Sequence, residues 1–385
     1  MARVDVAVVG AGIVGLATAR ELLIRRPDLR VTVVDAADAV GTGQTSHNSG
    51  VIHAGVYYAP GSLKARLCVD GARALYAFCA EHGIDAQRCG KLIVARDASE
   101  LGRLDDLETR ARANGVPGLR RLGPQELTEV EPHAAGLAAL HSPSTGIVDF
   151  GAVARRLAQD VAERGGELRL GRAVRGVDTG AGEVLLRHDD GDATAARRAL
   201  FCAGGAASAL AVAAGASADP RIVPFRGQYL QLRPAARHLV RGLIYPVPDP
   251  ALPFLGVHLT RHVSGAVWLG PTALLAGGLR WRGTWRVMGR HWRAGLHELR
   301  LAVSRAAFVA ACAAYVPALE ARDVQRGFAG MRAQAIGRDG TLVDDFVFSR
   351  AGATLHVRNA PSPAATSALA IAAEIAGRAQ AELDL

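Results

Sequence analysis

The sequence predicts an α/β chain in which a Rossmann-like nucleotide-binding domain is assembled from separated blocks, with an α+β domain of antiparallel strands inserted between them. Three observations carry this. A β-branched run, Val4 to Val9, leads straight into Gly10-Ala11-Gly12-Ile13-Val14-Gly15 and then into residues of helical propensity from Leu16 to Leu23. A second short apolar run, Val31 to Val34, ends in Asp35, 25 positions after Gly10. Farther on, hairpin-like alternation interrupts the strand and helix blocks. The first two together are the dinucleotide fingerprint in its proper strand-turn-helix setting. Gly10 permits the tight turn, Gly12 lets backbone amides approach a pyrophosphate, and Gly15 lets helix and strand pack closely. Ile13 and Val14 open a helix whose N-terminus is partially positive, and Asp35 is placed to accept bonds from ribose hydroxyls.

The next block is a run of hydrogen-bonding groups with almost no charge, Gln44 to Tyr58. Such a loop suits the ribityl and pyrophosphate chain of a flavin, so Thr45, Ser46, Asn48, Ser49, Gly50 and Val51 are candidate contacts to FAD. Phe150 to Arg164 reads as an amphipathic helix. Glu167–Leu170, Ala173–Val177, Glu183–Arg187 and Ala199–Cys202 read as strands, the last running into Ala203-Gly204-Gly205. That is the second half expected of a flavin domain, with Val174 meeting the adenine and Ala203 and Gly204 near the phosphates.

Pro224 to Tyr229 opens a further strand, and the proline-rich stretch Tyr245 to Pro253 is a rigid connection. Phe254–Arg261 and Ala266–Gly270 pair as a hairpin across Val263-Ser264-Gly265. Leu279 to Phe308, basic and tryptophan-containing, is expected to be a solvated helical flank. Near the end, Pro361-Ser362-Pro363-Ala364-Ala365-Thr366 is a small-residue loop that opens a last helix, suited to the flavin's pyrimidine end. The expected domains are 1–75, 145–215 and 326–385 for the flavin, and 76–144 and 216–325 for substrate.

The 385 residues are half hydrophobic, enough for more than one ordinary domain. A net charge of +9 comes almost wholly from arginine, because Lys64 and Lys91 are the only lysines. The arginines are scattered through periodic segments and form no stripe interleaved with aromatics, which argues against a nucleic-acid partner. Five widely spaced cysteines form no metal-type pair and read as reduced thiols, so no metal is expected and a cytoplasmic location is, with contact at the inner face of a membrane allowed. The apolar start lacks the marks of a signal peptide, and no uncharged run reaches spanning length.

Several blocks resemble the L-2-hydroxyglutarate dehydrogenases and oxidases, within FAD-dependent oxidoreductases of the D-amino-acid-oxidase-like, glutathione-reductase-type fold. They are Thr45 to Gly55 followed by Pro60 to Ala65, Cys89 to Ala95, Pro224 to Gly227, Ile244 to Pro246, Pro253 to Arg261, Leu269 to Pro271, Arg332 to Gln334 and Asn359 to Ala368. They span nearly the whole chain. Two features depart from the family pattern: Thr272 to Arg293 is shorter and more basic, and the fingerprint acid is Asp35 where the family often has Glu.

The resemblance implies oxidation of L-2-hydroxyglutarate, a 2-hydroxy dicarboxylate, to 2-oxoglutarate, with oxygen, a quinone or a carrier protein taking the electrons. Such chemistry needs a neutral base and cations for two carboxylates. His53 leads as base because of its loop, and His258 competes with it. Alternation puts His258 and Thr260 on one strand face and Arg261 on the other, so His258 ranks above Arg261. For the carboxylates Arg332 leads, with Tyr245 as a hydroxyl donor and Arg226 as an alternative. The rival readings are an amino-acid or secondary-amine oxidase of the glycine or sarcosine type, and a basic flavin-fold binding protein without turnover.

Overall fold

A computed structural model describes residues 3–180, 182–250, 252 and 254–385. Pro253, which opens one of the blocks above, lies outside them. An eight-stranded sheet runs in the order Val174–Gly180, Glu183–His188, Ala193–Phe201, Val4–Val9, Val31–Val34, Glu167–Arg169. Thr354–Asn359 lies parallel to the end of Ala193–Phe201, and Val347–Ala351 pairs with it. Val4–Val9 is parallel to both neighbours. Buried on both faces from Val6 onward, it is apolar except for Asp5 near its start, which pairs with Arg30. Val6 and Val8 pack under Leu16, Leu23 and the last helix, Ala368–Leu383, whereas Ala7 and Val9 join Leu186, Phe201 and Leu210 on the opposite face.

The other large sheet has nine strands. Its path is Leu274–Leu275, Arg221–Leu232, Val267–Gly270, His258–Arg261, Leu243–Pro246, Lys91–Ala95, Ala138–Ser142, Arg120–Leu122, with Val324–Ile336 alongside Arg221–Leu232. Alternation divides its residues cleanly. Leu92, Val94, Ile244, Leu259 and Val267 face a core closed by Leu301 and Phe308 of the later helices. Ile93, Ala95, Leu243 and Tyr245 face the opposite way, toward Val51, Val56 and the helix Ala98–Ala113. Lys91 shares this second face by strand parity. A three-stranded sheet of Val51–Ile52, Gly146–Val148 and Ala86–Gln87 stands between the two large ones.

The expected domain boundaries at 326 and 75 fall inside the strand Val324–Ile336 and the helix Leu63–Glu81. One expectation needs correction. The strand expected from Phe254 begins only at His258, so the hairpin is shorter than its apolar pattern suggests. The segment expected to be a solvated flank folds as Arg282–Arg290, Trp292–Val303 and Arg305–Ala313, and the first two carry a bare apolar surface. Trp285 is 57%, Leu296 58% and Val303 76% exposed. Among the described residues no helix is long and apolar enough to cross a membrane.

Candidate active site

Three separated pieces of sequence meet at the edge of the eight-stranded sheet. Gly10 has φ +113°, and a Cβ there would lie 2.4 Å from the Cys202 carbonyl oxygen, which forces glycine where the chain passes Ala203 and Gly204. Asp35 grips the turn from the next strand, one carboxylate oxygen accepting the Ala11 N–H at 2.6 Å and the other the Ala37 N–H at 2.8 Å. Val174 lies close by, two residues after Arg172, whose N–H donates to the Asp35 carbonyl at 2.7 Å. The polar loop joins through Thr45, whose hydroxyl accepts the Ile13 N–H at 3.1 Å. The C-terminal loop joins through Thr366, whose hydroxyl accepts the His53 N–H at 3.1 Å and donates to the Val51 carbonyl at 3.2 Å.

These residues fit FAD. The helix Ile13–Arg25 has Gly12 at its N-cap, no capping side chain and no acid in its first turn, so its partial positive charge is left for an anion. A Cβ on Gly12 would touch only the Thr45 hydroxyl, at 3.4 Å, leaving room above the turn for a pyrophosphate. Within the loop, the side chains of Asn48 and Ser46 turn onto the loop's own backbone. Asn48 spends its amide on the Gln44 and Thr45 carbonyls and on the Gly50 N–H, and Ser46 donates to the Gly41 carbonyl at 2.7 Å. Both shape the loop that Ser49, Gly50 and Val51 present. Pro361 to Ala365 lie on the same C-terminal turn, closed by the Ala364 N–H on the Pro361 carbonyl at 2.9 Å.

Past the flavin cradle, side chains of the polar loop face the larger sheet. His258 stacks on Tyr245, ring centroids 4.1 Å apart, and its Nδ1 lies 3.0 Å from the Gly256 carbonyl. A carbonyl can only accept, so Nδ1 carries the proton and Nε2 holds a free lone pair. Burial first, then the charges of Lys91 and Arg332, lower its pKa to about 4, against the raising effect of the Gly256 bond. His53 also lies well below the ordinary imidazole value, through burial and then Lys91, His258 and Lys64. Its Nδ1 is buried with no hydrogen-bond partner. Both imidazoles are therefore neutral at pH 7. Thr260 sits on the His258 face; its hydroxyl lowers the Tyr245 phenol, yet the geometry falls short of a hydrogen bond and leaves Oγ1 unpartnered. Burial is the larger effect on Tyr245 and raises it.

Lys91 is the residue that sequence reasoning missed. It is 1% exposed, with its ammonium 4.4 Å from the centre of the Tyr245 ring and 4.9 Å from that of Tyr57. Burial lowers its pKa from 10.5 to about 7, only partly offset by Cys68 and Cys89. Among the described residues it pairs with no carboxylate. Lys64, by contrast, is held by Asp344 at 2.7 Å over the Tyr58 ring. A signal for Lys91 did exist: one of only two lysines in an arginine-rich chain opens the apolar run Lys91-Leu92-Ile93-Val94-Ala95.

Arg332 lies over Phe254 at 4.7 Å. It keeps open surface at the mouth of the cleft, yet its surroundings are dense enough that burial lowers its pKa, against Asp344, Tyr229 and Tyr58. Two of the expected substrate arginines lie elsewhere. Arg226 pairs in register with Met331 while Arg332 pairs with Phe225, so Arg226 and Arg332 point to opposite faces of their ribbon. Arg261 shares the Leu259 face, away from His258, and donates to the Arg241 carbonyl at 3.1 Å. Among the described residues no cluster of metal-binding side chains occurs.

Comparison with known proteins agrees with this geometry. The chain matches the FAD dependent oxidoreductase family over residues 5–378. It is 44% identical to the mitochondrial L-2-hydroxyglutarate dehydrogenase of Caenorhabditis elegans, covering 97% of this chain and 93% of the relative. It is 41% identical to that of Homo sapiens, covering 99% and 89%. Among solved structures, a dithionite-reduced L-alpha-glycerophosphate oxidase from Mycoplasma pneumoniae with FAD bound superposes with a TM-score of 0.82 at 23% identity, covering 100% of this chain and 96% of that one. A glycine oxidase from Geobacillus kaustophilus gives 0.72 at 22% identity, covering 98% and 95%. The chain is therefore a member of the FAD dependent oxidoreductase family and, within it, of the L-2-hydroxyglutarate dehydrogenases.

Proposed function

We propose that the protein oxidises L-2-hydroxyglutarate to 2-oxoglutarate, with Lys91 and Arg332 receiving the two carboxylates and His53 and His258 the hydroxyl proton. The observation that carries this reading is the meeting, on one face of the larger sheet, of two neutral imidazoles with a buried ammonium that lacks a counterion. Bound FAD supplies the hydride acceptor. The chain's own residues do the rest. Substrate carboxylate answers the uncompensated charge of Lys91, and the Arg332 guanidinium, with its planar fork, takes the other end. His53, on the loop tied to Thr366 at the flavin side, accepts the hydroxyl proton at a ring nitrogen, and His258, with its Nε2 lone pair free, is the competing acceptor for that one proton. Tyr57 and Tyr245 wall the pocket and keep water from the basic groups. An amine substrate would bring its own positive charge against Lys91 and Arg332, which disfavours the amino-acid oxidase reading.

The electron acceptor proposed is a quinone held in a membrane. Trp285, Trp292, Leu296 and Leu299 are exposed beside Arg282, Arg286, Arg290 and Arg293, the composition of a helix pair that lies on an anionic lipid surface. Anaerobic mixing of the FAD-loaded protein with L-2-hydroxyglutarate tests the reaction by bleaching of the flavin band. Bleaching by sarcosine or glycine and none by hydroxyglutarate would overturn it. Rapid re-oxidation by air, matching that by a quinone analogue, would overturn the choice of acceptor.

A further inference from the structure

A second cavity, of about 490 Å³, opens on the face of the larger sheet that Lys91 and His258 do not share. Arg237, Arg241 and Arg261 line it together with His133 and His238. Among the described residues none of these arginines forms an ion pair, whereas Arg20, Arg112, Arg156 and Arg378 each grip a carboxylate. The Nε of Arg237 is buried and has no partner at all. Glu131 feels the charges of Arg241 and Arg261, but its carboxylate is committed to backbone. Its two oxygens accept the backbone N–H groups of Arg241 and Gly242 at 2.9 and 2.6 Å, and burial raises its pKa above the usual carboxylate value. A concave surface lined by three guanidiniums without an ion-pair partner, one of them with a buried, unsatisfied Nε, is a site that favours an anion.

We propose that this cavity binds a small multivalent oxyanion, either a phosphoanhydride or a polycarboxylate, and that its occupancy bears on the active site. The link is covalent and short. Arg241 stands two residues before the strand Leu243–Pro246, which carries Tyr245, and Arg261 ends the strand that carries His258. Tyr245 and His258 are the stacked pair of the site across the sheet, and their strands are hydrogen-bonded neighbours. An anion that draws Arg241 and Arg261 together fixes the spacing of those two strands from the far side. Arg237, on the 3-10 segment Pro234–Leu239, closes the cavity from outside the sheet.

Calorimetric titration of the FAD-loaded protein with pyrophosphate, and separately with citrate, tests this without reliance on turnover. Saturable binding of one of them is expected, weakened by salt. It should weaken about tenfold or more in R241Q/R261Q and in R237Q, and persist in K91M. The anion that binds identifies the ligand class. No saturation with either anion, or equal binding in R241Q/R261Q and R237Q, would overturn the site. Binding that vanishes in K91M would overturn it too, since the anion would then be occupying the active site. R237Q stands in if the double variant does not fold, because it alters no sheet residue. The effect on the active site rests on the function proposed above, and its readout is a change in KM for L-2-hydroxyglutarate on adding the bound anion, seen in the unaltered protein and absent in R237Q. An unchanged KM despite binding would remove the coupling and leave the site. Absence of any oxidation of hydroxyglutarate would instead count against the function.

Discussion

Replacing Lys91 with methionine should make the protein more stable while disabling it. The drop in its pKa from 10.5 to about 7 measures what the fold gives up to bury an ammonium with no carboxylate partner, roughly 5 kcal/mol of differential free energy. Methionine keeps much of the volume of the side chain and has no charge to desolvate. Below pH 7 lysine is protonated in both the folded and unfolded chain, so the penalty is present in full. Between pH 7 and 10.5 the folded protein releases the proton while the unfolded chain retains it, and stability rises with pH. K91M should therefore unfold several degrees higher than the parent at pH 6, at a few degrees per kcal/mol, with the gap closing by about pH 10. Thermal unfolding of the FAD-loaded proteins at the two pH values measures it. A lower unfolding temperature for K91M at pH 6, or a gap that ignores pH, would show that Lys91 is not a strained cation and would remove it from the site. The same variant should lose affinity for 2-oxoglutarate by at least about tenfold.

Other outcomes follow from the same geometry. In the parent, binding of 2-oxoglutarate should weaken about tenfold per pH unit above 7 as free Lys91 loses its proton; in K91R that alkaline limb should disappear below pH 10, and its persistence would point to another group. His258, depressed from 6.5 to about 4, is neutral when folded and charged when unfolded between those values, so stability falls by roughly 3 kcal/mol as pH drops through that window. H258F keeps the ring on Tyr245 and should flatten that part of the denaturation profile; an unchanged profile would mean that His258 is not buried neutral. Gly10→Ala places a Cβ against the Cys202 carbonyl in a backbone conformation that alanine avoids, so purified G10A should be colourless or release FAD readily, and full flavin content would contradict the turn geometry. Serine at both Trp292 and Leu296 should abolish sedimentation with vesicles of anionic lipid and leave oxidation of hydroxyglutarate in solution unchanged; equal sedimentation would remove the membrane face.

Much of the cofactor half of the molecule was legible before any coordinates. Val4–Val9 and Val31–Val34 form as expected, residue for residue, because strands buried on both faces are dominated by β-branched apolar residues, Asp5 and Thr32 being the exceptions, and the glycine turn after the first tolerates few other sequences. The opposition of His258 and Arg261 was equally legible, since side chains alternate along any strand. What the chain could not disclose was which distant groups share a space. Asn48 and Ser46 look like cofactor ligands in a list of polar residues, and only the folded loop reveals that they hydrogen-bond to their own backbone. Arg226 and Arg332 look equivalent until the register of two paired strands sets them on opposite faces. Lys91 reads as an ordinary strand opener. It is the meeting of three elements far apart in sequence that encloses it with Tyr57, Tyr245 and two imidazoles, and desolvation, which shifts its pKa, is a property of that enclosure and of no local sequence. Local propensity and spacing thus determined the strands, the turn and the cofactor class, whereas long-range packing alone decided which charges were left without partners, and those are the charges the substrate is proposed to meet.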